Sequence, residues 1–259
     1  MDIIEVKPNI YRLKVPFLDI YTTVFFIKTD CGYVMMDTAT YPEDIDNYVL
    51  PALDVIKIEK NDIRAVVVSH DHRDHAGGLE RLADLFLTAK ICARSTSCAD
   101  RVPEREVYVL SDGEEILPSI TAVSLPGHTT DCVGIYDSRT KTLLSADGLQ
   151  ARGIFGSGRW GSNITEVEEH IALCQELKTS EIECLITSHD YHPFDYVTEG
   201  KGKIAKYLDE CVEALYDIRD FIKGCPELDD NELTRRYNEI SGLPTIARHV
   251  VSAVRKALL

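Results

Sequence analysis

The sequence lacks several features that mark particular protein classes. No apolar run approaches the ~18 residues that a membrane-spanning helix needs, and no two of the eight cysteines form a Cys-X-X-Cys pair. Basic residues are few, since 28 Lys and Arg stand against 43 Asp and Glu, for a formal charge of −15. Because an acidic surface is repelled by phosphate backbones, we expect no nucleic-acid partner. Because no apolar run is long enough for a membrane span, we expect no membrane association.

The first residues also lack the basic and then apolar pattern of a secretory signal. We therefore expect a cytoplasmic protein whose thiols are free and mostly buried. With 259 residues, 44% hydrophobic and 27% charged, the chain has an ordinary globular composition and enough apolar material for a large core. It shows no internal repeat and no low-complexity segment.

The apolar pattern predicts a mixed α/β body followed by helices. We divide the chain into a domain at 1–198 and a helical C-terminal extension at 199–259 that packs on it. Strands are predicted at Ile3–Val6, Ile10–Val15, Thr22–Thr29, Tyr33–Asp37, Ile63–Val68, Lys90–Ala93, Glu106–Leu110, Ile120–Leu125, Cys132–Tyr136, Thr142–Ser145 and Ile182–Thr187. Helices are predicted at Pro42–Ile56, Gly77–Phe86, Thr165–Leu177, Lys203–Lys223, Asp230–Ile240 and Pro244–Leu259, with Thr165 and Glu168 as a capping box.

One polar segment, His-Asp-His-Arg-Asp-His at 70–75, stands between a predicted buried strand and a predicted helix. Imidazole and carboxylate are ligands that zinc accepts. His70 and His72, two apart in extended backbone, can point the same way, whereas Asp74 and His75 begin the helix and can face a second point. The segment could thus serve two metal ions, and a solvated polar loop is the alternative interpretation.

Three further polar residues each end a predicted strand, namely His128, Asp147 and His189. In α/β proteins, sites gather where strands give way to loops, because loops project functional groups from a rigid edge. One strand-end His alone would be weak support for a site. Together with the segment at 70–75, these residues predict a metal site.

This set of residues, in this order, resembles the metallo-β-lactamase fold superfamily of metallohydrolases, over roughly residues 1–195. The resemblance implies an α/β fold, a four-layer αββα sandwich of two mixed β-sheets, here with the helical C-terminal extension. Asp37 matches an acidic residue that has a structural role near the site in this family.

The resemblance also implies a ligand set for two divalent metal ions, Zn²⁺ in the first place, with Fe or Mn as alternatives. The first ion is bound by His70, His72 and His128, the second by Asp74, His75 and His189, and Asp147 bridges both. A metal-bridging hydroxide would attack an acyl carbon, with Asp74 and Asp147 orienting it and accepting its proton. Tyr191 is the candidate donor to the developing oxyanion.

Departures from family patterns narrow the expected chemistry. Position 147 is Asp, unlike the best-known penicillin-cleaving class, and position 72 is His where diiron flavoproteins of this fold carry Glu. Among the branches of the family, the ligand pattern of this sequence resembles that of glyoxalase II-like and lactonase-like hydrolases. We therefore expect a zinc hydrolase of an ester, thioester or lactone, with a small-molecule acyl substrate. Two alternatives stay open: a persulfide dioxygenase-like oxidoreductase with one iron on His70, His128 and Asp147, and a binding module with a structural metal.

Substrate contacts are expected from two loops. Phe155, Arg159 and Trp160, in the loop 149–163 after Asp147, could form an apolar wall with one cation, or this loop could be a flexible surface segment. Tyr21, in an early loop, would lie at the site mouth if the family layout holds.

The remaining functional expectations concern the C-terminal part. Its helices could grip substrate or form a homodimer contact. His170 and His249 are interpreted as surface or packing residues. His192, next to Tyr191, is a second candidate donor to the oxyanion, with packing beneath the helices as the favoured interpretation.

Overall fold

The computed structural model describes residues 2–154, 156 and 158–259. The chain consists of two compact units. The first contains the chain up to residue 124 together with 133–139, and the second contains 125–132 and the chain from 140 onward. The division at 198 made from the sequence concerns a different boundary and stays a prediction.

The first unit contains a mixed sheet whose seven strands follow one another in chain order, β1 to β7. Strands β1 to β4 are antiparallel, and β5, β6 and β7 continue parallel to β4. β5 is buried except at Arg64, as expected for an apolar strand covered on both faces. The bounds are β1 Asp2–Lys7, β2 Ile10–Phe17, β3 Ile20–Thr29, β4 Gly32–Met36, β5 Ile63–Val68, β6 Lys90–Ala93 and β7 Val107–Val109.

The helical segments of this unit are shorter than predicted. The predicted helix Pro42–Ile56 consists of α1 (Pro42–Asp44), a π-helical segment (Ile45–Val49) and α2 (Leu50–Ile56), followed by a 3₁₀ turn at Lys60–Asp62. Pro51 has no N–H, so an α-helical ladder cannot run through it. The other helices are α3 Arg73–Ala76, α4 Leu79–Leu85 and α5 Ser97–Arg101, and α5 was not predicted.

The break between α3 and α4 follows from a close backbone contact. Gly77 donates its N–H to the carbonyl of Ala39 at 3.1 Å, which places it against the loop that follows β4. A Cβ on Gly77 would stand 1.9 Å from the carbonyl oxygen of Thr40. The glycine therefore allows the segment 70–78 to pack on that loop.

Strands β8 to β13 fall into two groups of three, one group in each unit. In the first unit, β8 (Glu115–Leu117), β9 (Ile120–Ser124) and β10 (Val133–Asp137) are antiparallel. In the second unit, β12 (Cys184–Thr187) pairs parallel with β11 (Thr142–Ala146) and antiparallel with β13 (Val197–Glu199).

Helices account for much of the second unit. They are α6 Val167–Leu177, α7 Lys201–Gly224, α8 Asp230–Ile240 and α9 Arg248–Leu258. An apolar cluster that includes Leu215, Ile218, Leu233 and Val250 holds them together. In the part of the chain that the structure describes, no helix is both long and apolar enough to cross a membrane.

Contacts with distant residues displace two of the predicted helix starts. Helix α6 begins at Val167, and Thr165 makes no capping box because its hydroxyl and N–H turn to the backbone carbonyls of Gly127 and His128. Helix α9 begins at Arg248 rather than Pro244, because the residues before it pair with the loop after β11. There Thr245 donates its N–H to Gly158 O at 3.0 Å.

The glycine contact gives the first prediction. In Gly77→Ala the new methyl group meets two rigid backbone carbonyls, so we expect unfolding to become easier by roughly 2–3 kcal/mol, measured by urea denaturation. Gly202→Ala is the control, since a Cβ there has nothing within 4 Å and the residue lies in a helix. Equal stability of the two variants would contradict the packing described here.

Candidate functional site

In the first unit, the segment 70–75 follows directly on β5. His72 is extended (φ −67°, ψ 148°) and caps the start of α3. Its Nδ1 lies 3.1 Å from Nε2 of His70, and the two ring centroids are 4.7 Å apart. The structure therefore brings the first two predicted ligands together.

Asp74 and His75 form a second pair on the same segment. Nε2 of His75 lies 3.5 Å from the Asp74 carboxylate, and the His75 ring is fully buried. Its centroid is 4.3 Å from that of His70. Two imidazoles and an imidazole–carboxylate pair thus stand side by side, as the spacing predicts.

The Asp37 carboxylate orients this segment from the end of β4. It accepts hydrogen bonds from the Ser69 N–H at 2.8 Å, the Ser69 hydroxyl at 3.0 Å and Nδ1 of His75 at 2.7 Å. A carboxylate acceptor assigns the proton to Nδ1, so Nε2 of His75 carries the lone pair. The expected structural role of Asp37 therefore has a geometric basis.

In the second unit, Asp147 lies between two imidazoles. Its carboxylate oxygens are 4.0 Å from Nε2 of His128 and 3.5 Å from Nε2 of His189. All three residues are buried. One carboxylate oxygen of Asp147 therefore faces each of the two imidazoles.

His128 is held by the loop that follows β11. Its Nδ1 donates to the backbone carbonyl of Asn163 at 2.7 Å, and the Asn163 N–H donates to Oε1 of Gln150 at 2.7 Å. The Asn163 side chain in turn contacts Nε2 of His249, on α9, at 2.5 Å. A residue interpreted as surface or packing thus supports the loop that orients a predicted ligand.

Two residues expected near the substrate have defined contacts. The hydroxyl of Tyr21, on β3, accepts a hydrogen bond from Arg12 at 2.6 Å, and Lys14 lies 4.2 Å from its ring. Tyr191 is buried, and its ring packs edge-on against His189 at 5.7 Å. The contact of both residues with substrate stays a prediction.

The loop 149–163 is anchored at several points. Arg152 pairs with Glu210 and with Asp217 on α7, each at 2.6 Å. The Ile154 N–H donates to Trp160 O at 2.7 Å. Arg159 is exposed, with its guanidinium 6.0 Å from the Trp160 ring, and Phe155 lies outside the described residues. The predicted apolar wall is untested, while the anchoring argues against a flexible loop in its described parts.

Sequence reasoning missed Ser69, Gln150 and Asn163, which orient predicted ligands. Ser69 directly precedes the motif and could have been noticed as a neighbour of His70. Gln150 and Asn163 act through a contact between the two ends of one loop, for which the sequence carries no periodic signal.

Comparison with known proteins shows which family has this sequence pattern. A family model described as the metallo-beta-lactamase superfamily matches residues 19–189, which is more than half of the chain. The chain belongs to this superfamily. The predicted family is thereby confirmed. Most members of this superfamily are metal-dependent hydrolases, and the clusters of His and Asp side chains in this chain could hold a metal ion.

Individual relatives are distant. A beta-lactamase-like protein 2 homolog of Drosophila melanogaster is 27% identical over 143 residues, 51% of this chain and 48% of that protein. A hydroxyacylglutathione hydrolase of Pseudomonas putida is 32% identical over 93 residues, 34% of each chain. The chain thus spans about half of the Drosophila protein and less of the hydrolase.

The fold class is confirmed by solved structures. A metallo-beta-lactamase family protein from Thermus thermophilus superposes with a TM-score of 0.70 at 15% identity, covering 97% of this chain and 92% of that one. The two mixed sheets, the helices and the helical C-terminal region agree with the predicted architecture.

The Asp37 contacts predict a large stability effect. Asp37→Ala leaves the buried Ser69 N–H and His75 Nδ1 without their acceptor, and we expect a loss of about 3–5 kcal/mol in urea unfolding. The control is Asp46→Ala, because Asp46 pairs with Arg81 at the surface, where such pairs contribute little. A small effect of Asp37→Ala would contradict the orienting role of this carboxylate.

The Asn163 contacts predict an effect of α9 on metal binding. His249→Ala removes the side-chain partner of Asn163, so His128 loses part of its support and metal affinity should fall by up to about tenfold. The measurement is competition with a chelator. Arg248→Ala, exposed and adjacent on α9, should leave the affinity unchanged; an equal response of both variants would overturn this prediction.

Proposed function

We propose that the protein is a dinuclear metal-dependent hydrolase of an ester, thioester or lactone. The observation that carries this proposal is Asp147, whose two carboxylate oxygens each face an imidazole. The segment 70–75 offers two matching sets of donors, the pair His70 and His72 and the pair Asp74 and His75. The family membership supports the same chemistry.

In this proposal, seven side chains bind two divalent ions. His70, His72 and His128 hold the first ion, Asp74, His75 and His189 hold the second, and Asp147 is shared. Imidazole and carboxylate donors without sulfur suit Zn²⁺, and also Fe or Mn. When bound, two such ions lower the pKa of a shared water and polarise a carbonyl oxygen.

The protein's own groups then position and move protons. Asp74 and Asp147 orient the attacking water and accept its proton as carboxylates close to the imidazoles. Asp37 fixes the tautomer of His75, and the Asn163 carbonyl fixes that of His128. Tyr191, beside His189, is proposed as the hydroxyl that donates to the developing oxyanion.

The substrate class is proposed from similarity and from chemistry. The Pseudomonas relative is a hydroxyacylglutathione hydrolase by name, although it aligns over only 34% of this chain. We propose that the substrate is a small acyl molecule. We further propose that the protein acts in the cytoplasm and binds neither nucleic acid nor a membrane. Tyr21, Phe155, Arg159 and Trp160 are its proposed contacts, and a homodimer is proposed through the C-terminal helices.

The test is a metal count and an activity screen with two variants. Zinc-loaded protein should bind two ions per chain and hydrolyse at least one member of a panel of thioesters and lactones. Asp74→Ala should lose at least about 100-fold in turnover with an unchanged melting profile, because it removes a ligand and a proton acceptor.

Asp71→Ala is the matched control for this experiment. Asp71 belongs to the same motif, but its carboxylate binds Ser97 and Arg101. This variant should keep its turnover. A protein that binds its metal ions but hydrolyses no member of the panel would contradict the proposal. A single iron per chain with oxygen uptake on glutathione persulfide would favour the dioxygenase alternative instead.

A further inference from the structure

A second group of metal-binding side chains lies in the second unit, apart from the residues discussed so far. His170, Cys174 and Cys211 are buried, with relative exposures of 0%, 0% and 1%. One imidazole nitrogen and the two sulfurs lie within 4.8 Å of one another. None of these residues belongs to the proposed hydrolytic site.

Helix geometry explains why the three side chains meet. His170 and Cys174 are four residues apart on α6, so they lie on one face of the helix, and α7 packs against α6 and carries Cys211. Nε2 of His170 is 3.7 Å from the sulfur of Cys174. A His and a Cys at this spacing can chelate one ion from a single helix.

The imidazole of His170 is poorly satisfied by its neighbours. Nδ1 has no hydrogen-bond partner among the residues that the structure describes, and it is wedged so closely against Gly127 that a Cβ there would stand 2.4 Å away. Nε2 faces the thiol of Cys174, and a thiol is a weak hydrogen-bonding group. A fully buried imidazole with such partners is costly, because burial removes it from water without replacing its hydrogen bonds.

We propose that His170, Cys174 and Cys211 form a buried binding site for a thiophilic divalent cation, with Zn²⁺ as the expected ion. Two Cys and one His are a known zinc ligand set, in which a water molecule takes the fourth position. Two thiolates balance the charge of a divalent ion, and a neutral imidazole adds none, so the occupied site is neutral. Neutrality is what a fully buried position requires.

Binding proceeds without any redox step. Burial raises the pKa of the Cys211 thiol well above its usual value, so this thiol is protonated when no cation is near. The cation displaces one proton from each thiol, forms two metal–sulfur bonds and takes the Nε2 lone pair of His170. Two protons are released per ion, and metal affinity rises with pH accordingly.

The site touches the segments that carry two proposed hydrolytic ligands. Cys211 accepts a hydrogen bond from the Ala151 N–H at 3.3 Å, and Tyr207, one turn earlier on α7, donates to Leu149 O at 2.9 Å. His170 packs on Gly127, the residue before His128. An ion that joins α6 to α7 here therefore stabilises the backbone behind His128 and Asp147.

Cobalt substitution separates this site from the hydrolytic one. The proposed hydrolytic ligands contain no sulfur, so an intense thiolate-to-cobalt charge-transfer absorption in the near ultraviolet can come only from a cysteine site. We expect this absorption in folded protein loaded with Co²⁺, together with one metal equivalent beyond those of the hydrolytic site. Cys174→Ala and Cys211→Ala should each lose both signals.

The control is Cys92→Ala, because Cys92 is equally buried but lies on β6 in the first unit. It should keep the absorption and the extra equivalent. If the ligand variants fail to fold, alkylation of the native wild-type protein replaces them: Cys174 and Cys211 should be protected by added Zn²⁺ and exposed to reagent by a chelator.

Wild-type protein without a thiolate–cobalt absorption, or with the same alkylation rates in zinc and in chelator, overturns the proposal. An absorption that survives in Cys211→Ala does so too. None of these readouts depends on turnover, so a protein inert to every acyl substrate can still bind the cation at this site.

Discussion

The carboxylate of Asp37 is the interaction on which the histidine segment of the first unit depends. It stands at the end of β4, and its two oxygens collect the Ser69 N–H and hydroxyl from the end of β5 and Nδ1 of His75 from α3. Neighbouring parallel strands end at one edge, so a single residue can reach both the next strand and the helix that follows it. Asp37 itself has a positive φ of 68°, a conformation that costs of order 1 kcal/mol or more outside glycine and that persists where surrounding bonds fix it.

In the second unit, a ligand histidine is oriented by a different kind of hydrogen-bond acceptor. There Nδ1 of His128 donates to the carbonyl of Asn163, a neutral group, whereas His75 donates to a buried carboxylate. A carboxylate partner makes the opposite nitrogen the stronger base. The two proposed metal positions therefore differ in ligand strength as well as in ligand type, because the carboxylate-rich set also contains the histidine that is supported by Asp37.

Much of this could be predicted from the sequence because its signals are local. The strands β5 and β6 and helix α8 have the predicted bounds, and His70 and His72 pair as their spacing implies. The errors lie where a distant contact overrides a local pattern: Thr165 bonds the backbone around Gly127 instead of capping α6. The short strands β8 and β13 have three residues each, too few for a period to show. The His170 cluster depends on how α6 packs against α7, for which a single sequence carries no sign.

The two proposed cation sites differ in the chemistry of their donors, and this difference has a physical consequence. A site of imidazole and carboxylate is tolerant, since Zn, Fe and Mn all accept such ligands, whereas thiolates favour softer ions. The sulfur site that we propose between α6 and α7 lies away from solvent and is neutral when occupied. Its effect is on the position of the backbone. The acidic surface, with a net charge of −15, adds nothing to this selection, because both sites are built from side chains that are mostly buried. Selectivity between the sites therefore follows from donor type and burial, and not from the overall charge of the protein.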